Sequence, residues 1–224
     1  MGFIKLTDTS RARILIRAAN WVGDAIMTTP VIRAVRKNFP KATITVLAKP
    51  WVIPVYENNP YVDEMMVYDN NNRHKIGLGT LTLAKDLRGQ KFDLAILMQN
   101  AFEAGLISFL DRIKERVGYN TDGRGFLLNR GIKLDPALKK GHLINYYIGI
   151  LKGAHLADDG GGLDLFLCDS DREFADNFLK QEKFDLSQPV IGINPGATGG
   201  TAKRWFPQRY AEICKNLSQK FKAK

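Results

Sequence analysis

The segment of residues 13–30 constrains the fold more than any other part of the sequence. It opens with Arg13–Arg17, an apolar run with charged ends, which is typical of a strand covered on both faces of a sheet. Gly23 follows where the chain is expected to turn tightly into a helix. Asp24 then falls at the start of that helix, where the dipole and free N–H groups favour a negative charge. Because open parallel sheets bind ligands at the carboxyl ends of their strands, Asp24 is a candidate functional residue, with simple helix capping as the alternative.

Apolar runs and helical faces alternate along most of the chain. Further strands are predicted at residues 43–48, 64–68, 92–98, 116–119 and 163–167. Helices are predicted at residues 78–87, 101–113, 142–151 and 170–183, with a glycine-containing loop at 121–131. Repeated strand–helix–strand units with short connections predict an α/β fold with a parallel, doubly wound sheet.

The strand–loop–helix pattern begins again near residue 189. Residues 189–194 form an apolar run, residues 195–206 a glycine-rich loop, and an amphipathic helix is predicted from Pro207. The Ala-Asp-Asp-Gly-Gly-Gly run at 157–162 predicts a hinge or linker, or alternatively a long surface turn. We therefore predict two domains, residues 1–185 and 186–224. Since one strand and one helix cannot bury a core of their own, the second domain is expected to be truncated.

The chain is basic, with a net charge of +10 and 45% hydrophobic residues over 224 positions. Residues 201–224 alone hold seven Lys or Arg and one acidic residue. A basic balance favours nucleic acid, an anionic surface or an anionic substrate as the partner. No single element combines basic and aromatic residues in a stripe, so nucleic acid is not expected, although a basic nucleic-acid or anionic-surface binding module stays an alternative.

The cysteine content indicates a reducing compartment, and the hydropathy of the chain bears on its cellular location. Cys168 and Cys214 are far apart in sequence, which predicts neither a disulfide framework nor a zinc site. The first residues are too polar for a signal peptide, and no apolar run approaches the roughly 18 residues of a spanning helix. A cytoplasmic location is therefore expected.

Residues 193–205, Ile-Asn-Pro-Gly-Ala-Thr-Gly-Gly-Thr-Ala-Lys-Arg-Trp, form a second candidate motif. Glycine backbone, threonine hydroxyls and Lys or Arg in such a loop suit a phosphate group, and an ordinary turn is the alternative. The loop does not match a Walker A motif, and the chain has no GxGxxG fingerprint, which argues against a nicotinamide or flavin enzyme.

An Asp-x-Asp string, the metal-binding pattern of many sugar-nucleotide enzymes, occurs at residues 169–171. It overlaps a capping-box pattern at residues 170–173, Ser-Asp-Arg-Glu, which explains the same residues as a helix start. No metal is therefore assigned.

Taken together, these motifs resemble the lipopolysaccharide heptosyltransferases of glycosyltransferase family 9. The resemblance rests on Ile-Leu-Ile-Arg at 14–17, Asn-Trp-Val-Gly-Asp-Ala at 20–25, Asn-Pro-Gly-Ala at 194–197 and Ala-Lys-Arg-Trp at 202–205. It implies a GT-B fold with two Rossmann-like domains in a Gram-negative bacterial enzyme, the N-terminal one complete and binding the acceptor. The second domain would bind ADP-L-glycero-β-D-manno-heptose, with no cofactor and with inversion at the anomeric carbon.

The resemblance also implies roles for particular residues. Asp24 matches the general base that takes the proton of the acceptor hydroxyl, and Lys203 matches the lysine that offsets charge on the ADP leaving group. The other residues implied in donor binding are Gly196, Ala197, Thr201 and Arg204. Arg204 has an alternative explanation as a packing partner of Trp205. Phe206, which separates Trp205 from Pro207, departs from the family pattern.

The implied acceptor is the lipid A–Kdo–heptose core, whose anionic groups call for cations. Four candidate acceptor-binding residues are Arg17, Asn20, Arg124 and His142. For each arginine the alternative is a solvated surface charge, and for His142 it is a cap or packing role at its helix. Because this acceptor is anchored in the inner membrane, peripheral contact of the basic surface with the cytoplasmic face of that membrane is a further hypothesis.

Overall fold

A computed structural model describes residue 4 and residues 11–75, 77–184, 187–197 and 200–222. Contacts divide the chain into two compact units, Met1–Phe166 and Leu167–Lys224. The predicted domain division at 185/186 stays a prediction, while the helix after residue 168 groups with the second unit.

The first unit is built on a six-stranded parallel sheet. Its strands are β1 (Arg13–Arg17), β2 (Thr43–Ala48), β3 (Glu64–Val67), β4 (Leu94–Leu97), β5 (Glu115–Tyr119) and β6 (Arg130–Ile132). They lie in the order β3-β2-β1-β4-β5-β6, and all five pairings are parallel. In the centre, Ile14 of β1 pairs with Ile44 on one side and Leu94 on the other. The predicted parallel, doubly wound sheet is confirmed.

Helices cover both faces of this sheet. Those of the first unit are α1 (Val22–Met27), α2 (Thr29–Asn38), α3 (Leu78–Arg88), α4 (Phe102–Leu110), α5 (Pro136–Lys140) and α6 (Leu143–Gly153). One apolar core joins α1, α2 and α6 to the sheet, and a second joins α3 and α4 to the opposite face. Burial on both faces explains why the central strands are almost wholly apolar.

Several local expectations for the first unit were wrong. Gly23 lies inside α1 without a left-handed backbone, so the turn into the helix does not depend on glycine there. The predicted first helix is two helices, divided at Thr28, whose hydroxyl donates to the Ala25 carbonyl at 2.7 Å. The predicted loop at 121–131 runs into β6, because a three-residue edge strand is too short for an apolar pattern to reveal it.

The glycine-rich run at 157–162 is held against α2. Both Arg33 Nε and Nη2 donate to the Asp159 carboxylate, at 2.6 and 3.0 Å, and Nη1 donates to the Gly162 carbonyl at 3.1 Å and to Asp164. The run is therefore an anchored surface segment, which corrects the expectation of a linker. The strand predicted at 163–167 is not formed. Asp164 is held by α2 instead, because its carboxylate accepts from Arg33 and its N–H donates to the Thr29 hydroxyl at 3.0 Å.

The second unit contains α7 (Asp169–Gln181) and α8 (Pro207–Phe221). The α7 capping box uses Cys168 and Asp171, two residues earlier than predicted, because the Asp171 carboxylate accepts the Cys168 N–H at 3.0 Å. Helix α8 begins at Pro207 as predicted, so Phe206 occupies its N-cap position. The strand predicted at 189–194 is not formed among the described residues of this unit, which offer it no partner strand.

Candidate active site

The carboxyl edge of the sheet has a topological switch point between β1 and β4. These two strands are hydrogen-bonded neighbours, yet the chain leaves β1 toward α1 on one face and leaves β4 toward α4 on the other. Doubly wound α/β proteins bind ligands in the crevice above such a switch point. Residues 18–21 and 98–101 follow the two strands here and lie at this switch point.

Asp24 lies in the first turn of α1, half-buried beside this crevice. Its Oδ1 atom accepts a hydrogen bond from the Tyr147 hydroxyl of α6 at 3.1 Å. Helix α1 has Trp21 as its N-cap and no side-chain cap, so capping does not explain the Asp24 carboxylate. Among the described residues no other hydrogen bond or ion pair reaches this carboxylate, which leaves Oδ2 available to accept a proton.

Tyr147 is a functional candidate that the sequence did not indicate. Its side chain is buried, and burial together with the negative charge of Asp24 raises the pKa of its phenol. The hydroxyl therefore stays protonated at neutral pH and acts as a donor to Asp24. The sequence shows this tyrosine only as one of several apolar residues on a helix, 123 positions after Asp24, so no local pattern could have paired the two.

Arg17 and Asn20 together fix the loop that precedes Asp24. Arg17 is buried, its Nη1 donates to the Ala18 carbonyl at 2.7 Å and its Nη2 donates to Asn20 Oδ1 at 2.8 Å. Its guanidinium also lies 4.8 Å from the ring centroid of Tyr68, and burial lowers its pKa to about 10, so it remains charged at neutral pH. The indole of Trp51 donates to the Asn20 carbonyl at 2.9 Å. The structure thus brings the two predicted residues into contact and gives both a positioning role.

Arg124 is fully buried rather than solvated, which corrects the surface-charge alternative. Its Nε donates to the Tyr119 carbonyl at 3.0 Å, its Nη1 to the Gln99 carbonyl and its Nη2 to Asn100 Oδ1 at 3.1 Å. Burial lowers its pKa to about 10. A guanidinium in this position ties the carboxyl end of β5 to the segment that follows β4.

A hydrogen-bond network continues from Arg124 toward α6. Asn100 donates to the Tyr146 hydroxyl, and the Tyr119 hydroxyl donates to the Tyr146 carbonyl at 2.6 Å. The ring of Tyr146 packs edge-on against that of Tyr147, with centroids 5.2 Å apart. Arg124 therefore supports the part of α6 that presents a donor to Asp24.

His142 is exposed and caps α6. Its Nδ1 atom accepts the Ile144 N–H at 3.3 Å, which is the capping role weighed as the alternative to acceptor binding. Among the described residues, no hydrogen bond joins His142 to another predicted site residue. Acceptor binding by His142 stays a prediction.

The glycine-rich loop of the second unit is described except at residues 198 and 199. Asn194 Oδ1 accepts the Gly196 N–H at 3.1 Å, and the Arg204 guanidinium donates to the Ala197 carbonyl at 3.2 and 3.1 Å. The guanidinium over the Trp205 ring is that of Arg209, at 5.7 Å from the ring centroid.

A cavity of about 570 Å³ lies beside this loop, wholly within the second unit. Thr201 and Arg204 line it together with the apolar side chains of Trp205, Phe206 and Tyr210. The Lys203 side chain is exposed and has no ion pair or hydrogen bond among the described residues. The combination of a cation, a hydroxyl and aromatic surface around one cavity suits a ligand with both phosphate and ring parts.

In the Asp-x-Asp string, Asp171 belongs to the cap of a helix. The Asp171 carboxylate accepts both the Cys168 N–H and its thiol, at 3.0 and 3.1 Å, as the cap of α7. Within the described ranges, no three His, Cys, Asp or Glu side chains are grouped so that they could hold a metal ion.

Comparison with known sequences identifies the family to which this chain belongs. Residues 80–221 match glycosyltransferase family 9 (heptosyltransferase), and the chain is a member of that family. Lipopolysaccharide heptosyltransferase 2 of Escherichia coli K12 is 30% identical over 219 residues, covering 92% of this chain and 60% of that protein. The Salmonella typhimurium protein of the same name is also 30% identical, over 215 residues. The predicted resemblance to the lipopolysaccharide heptosyltransferases of family 9 is confirmed, and both of these relatives are type 2 enzymes by name.

Solved structures support the same fold. A family 9 glycosyltransferase from Veillonella parvula superimposes with a TM-score of 0.85 at 25% identity, over 97% of this chain and 62% of that one. The E. coli ADP-heptose LPS heptosyltransferase II superimposes with a TM-score of 0.75 at 26% identity. The predicted α/β, Rossmann-like fold of GT-B type is confirmed. The chain spans about 60% of the length of the curated relatives that it matches.

Proposed function

We propose that this chain is the acceptor-side part, and the beginning of the donor side, of an inverting ADP-heptose–lipopolysaccharide heptosyltransferase. The single observation that carries the proposal is the Asp24 carboxylate at the switch point of the sheet, with one oxygen held by Tyr147 and the other free. The names of the E. coli relatives, which refer to ADP-heptose and lipopolysaccharide, supply the donor and acceptor classes.

In the proposed reaction a heptose hydroxyl of the lipid A–Kdo–heptose acceptor attacks the anomeric carbon of ADP-heptose. The new C–O bond forms on the face opposite ADP while the bond from the anomeric carbon to the diphosphate oxygen breaks, so the configuration inverts. Asp24 Oδ2 takes the hydroxyl proton, because a sugar hydroxyl is a weak nucleophile until its proton is being removed. Tyr147 is a positioning residue that holds the other oxygen of this carboxylate.

The leaving ADP carries away the electron pair of the broken bond, and its charge needs compensation. Lys203 is proposed to supply that positive charge, with Thr201, Arg204 and the backbone of Gly196 and Ala197 holding the diphosphate. The Lys203 side chain is exposed and has no hydrogen-bond or ion-pair partner among the described residues, which supports this role because an available ammonium can meet a phosphate.

The acceptor contacts are proposed to come from the neighbourhood of Arg17, Asn20, Arg124 and His142. Because Arg17 and Arg124 are buried in hydrogen bonds to the main chain, we propose that they act by shaping the loops that meet the acceptor and by their positive potential. Peripheral attachment to an anionic membrane surface is part of the proposal, because the acceptor is lipid-linked. Among the described residues no helix is both long and apolar enough to cross a bilayer.

The test compares the rate of heptose transfer from ADP-heptose by the natural full-length protein with the rate of its Asp24→Asn variant. Loss of the base is expected to lower kcat by about 10²–10⁴-fold, the usual contribution of general-base catalysis, with calorimetric ADP affinity unchanged. Asp122→Asn is the matched control: Asp122 is exposed, follows β5 at the same edge, and has a left-handed φ of 52° that asparagine accepts. Transfer by the Asp24→Asn protein at a near-normal rate would show that Asp24 is not the base.

A further inference from the structure

A second cavity lies at the amino edge of the sheet, opposite the candidate active site. It measures about 490 Å³ and is bounded by the last turns of α3 and α4, the turn after α4, and the start of β5. Four basic residues line it: Arg88, Arg112, Lys114 and Arg116. Since five strand residues rise roughly 16 Å, this cavity is separate from the crevice that contains Asp24.

Two carboxylates, Asp111 and Glu115, lie near this cavity, and neither forms an ion pair with its four basic residues in the described chain. None of the ion pairs of the described chain involves its four basic residues. Glu115, adjacent in sequence, is paired with Arg130 at 2.7 Å. Asp111 is buried beside Arg88, and burial raises the pKa of its carboxyl to about 7, so its negative charge is incomplete at neutral pH.

Two of the four cations are fixed by the main chain and retain unused donors. Arg116 Nε donates to the Leu127 carbonyl at 2.7 Å, and its guanidinium lies 5.4 Å from the ring centroid of Phe109. Arg88 Nη2 donates to the Leu110 carbonyl. A guanidinium has five N–H donors, so both arginines keep N–H groups for a ligand. Such pre-positioned forks match the geometry of phosphate oxygens.

Favourable interaction with helix dipoles explains the positions of only two of the four basic residues. Arg88 and Arg112 do lie at the carboxyl ends of α3 and α4, where cations are favourable. Lys114 and Arg116 belong to the following turn and to β5, where no helix end requires them. The exposed Arg112 and Lys114 side chains have no ion pair or side-chain hydrogen bond in the described part of the chain.

We propose that this cavity is a binding site for the phosphate groups of an anionic ligand, separate from the donor and acceptor sites. Its volume is in the range of small-molecule pockets, and its wall combines four cations with the half-exposed ring of Phe109. Phosphate can come from a free metabolite or from a lipid headgroup, and the same four side chains would recognise either.

The experiment measures binding of pyrophosphate by calorimetry at constant ionic strength, and flotation with phosphatidylglycerol vesicles against phosphatidylcholine vesicles. All proteins carry Lys203→Ala, so that the loop of the second unit contributes little to phosphate binding. The test variant is Arg112→Glu with Lys114→Glu, two exposed positions. The matched control is Lys139→Glu with Lys140→Glu at the end of α5, which are equally exposed. Circular dichroism checks that all variants fold.

We expect the Arg112→Glu and Lys114→Glu protein to bind about tenfold more weakly than its parent, and the control to bind as the parent does. Loss of pyrophosphate binding identifies a free phosphate ligand, and loss of flotation alone identifies a lipid phosphate. The proposal is overturned if the parent binds neither probe, or if the control reversal weakens binding as much as the cavity reversal does.

Discussion

Two segments of this chain share one sequence pattern and have different structures. Residues 13–38 and 189–221 each run from an apolar stretch through a loop into an amphipathic helix. In the first, β1 is hydrogen-bonded to β2 and β4, and Ile14, Leu15 and Ile16 are at most 1% exposed. In the described residues of the second, no strand ladder forms, and Val190 and Ile193 are 44% and 37% exposed.

The helices show the same contrast. Helix α2 buries seven consecutive residues, from Thr29 to Val35, whereas α8 buries none. An apolar run becomes a strand only where another strand accepts its N–H and C=O groups, and an amphipathic helix is stabilised mainly by what its apolar face meets. An apolar or amphipathic sequence pattern therefore makes a strand or a buried helix possible. The elements that surround the segment determine whether that strand forms and whether that helix is buried.

The largest expected effect concerns the segment at residues 157–166, which Arg33 of α2 holds in place within the first unit. Arg33→Ala removes four hydrogen bonds at once, three of them to the half-buried Asp159 and Asp164 carboxylates, and we expect it to lower the free energy of unfolding by about 3–5 kcal/mol. Lys37→Ala is the control, because Lys37 also pairs with Asp159 but is 60% exposed, and a loss below about 1 kcal/mol is expected. Urea denaturation measures both.

The Arg33 contribution should also depend on pH. The Arg33 guanidinium holds the pKa of Asp159 well below its usual range. Because the pKa of Asp159 is lower in the folded than in the unfolded protein, its ionised carboxylate stabilises the fold. This stabilisation is complete above the unfolded-state pKa, which is near 4, and is lost as the solution becomes more acidic. The difference between wild type and Arg33→Ala should therefore be full at pH 7 and shrink below pH 4. Equal destabilisation by Arg33→Ala and Lys37→Ala would show that the segment is not held mainly through Arg33.

The next effect tests the two apolar stretches directly. Ile16→Ala, in the centre of the sheet, should lower the free energy of unfolding by about 2–5 kcal/mol, because it leaves a cavity among side chains that have no exposure. Ile193→Ala, at the comparable position of the second stretch, should change it by less than about 0.5 kcal/mol. Thermal or urea unfolding of the two variants gives the comparison. Similar losses would mean that the second stretch is as well packed as the first.

The smallest effect concerns a buried carboxylate of the first region that has no partner. Neither carboxylate oxygen of Asp111 has a hydrogen bond in the described structure, and burial raises its pKa to about 7 while the charge of Arg88 opposes this. Between about pH 4 and pH 7 the Asp111 carboxyl is protonated in the folded state and ionised in the unfolded state. The contribution of Asp111 to stability therefore falls as the pH rises through this range. Asp111→Asn should raise the free energy of unfolding by about 1 kcal/mol at pH 8 and leave it unchanged below pH 4.

Asp86→Asn is the control for Asp111→Asn, since that carboxylate is exposed to 28% and pairs with Arg73. It should not stabilise the protein at pH 8. Unfolding curves at several pH values separate the two variants. A stability advantage of Asp111→Asn that is the same at pH 4 and pH 8 would show that ionisation is not its cause.

Much of the first region could be predicted from local sequence. The bounds of β1 and β2 agree with the predicted ones, because each is a run of apolar residues long enough to show its type. Strand β6 and helix α5 were missed, since elements of three and five residues show no period. The strand at 189–194 was predicted from the same apolar signal, and that signal contains no information about a partner strand.

The candidate site divides in the same way. Its position after β1 and the presence of a carboxylate there followed from the sequence, and a family resemblance proposed the role of Asp24. The hydrogen bond from Tyr147 did not follow, because α6 contacts α1 only after the sheet has brought both to one face. The burial of Arg124 was also not evident, since its type and its glycine-rich surroundings are those of a surface loop.

The sequence by itself determined the alternation of strands and helices, the parallel sheet and the loops that carry polar groups at the carboxyl edge. These depend on periodicity and on short-range backbone preferences, which are properties of neighbouring residues. Tertiary structure alone decided that Asp24 meets Tyr147, that Arg17 and Arg124 are buried supports, and that four cations surround one cavity at the amino edge. Such contacts join residues up to 123 positions apart, and their energies depend on burial and distance in the packed molecule.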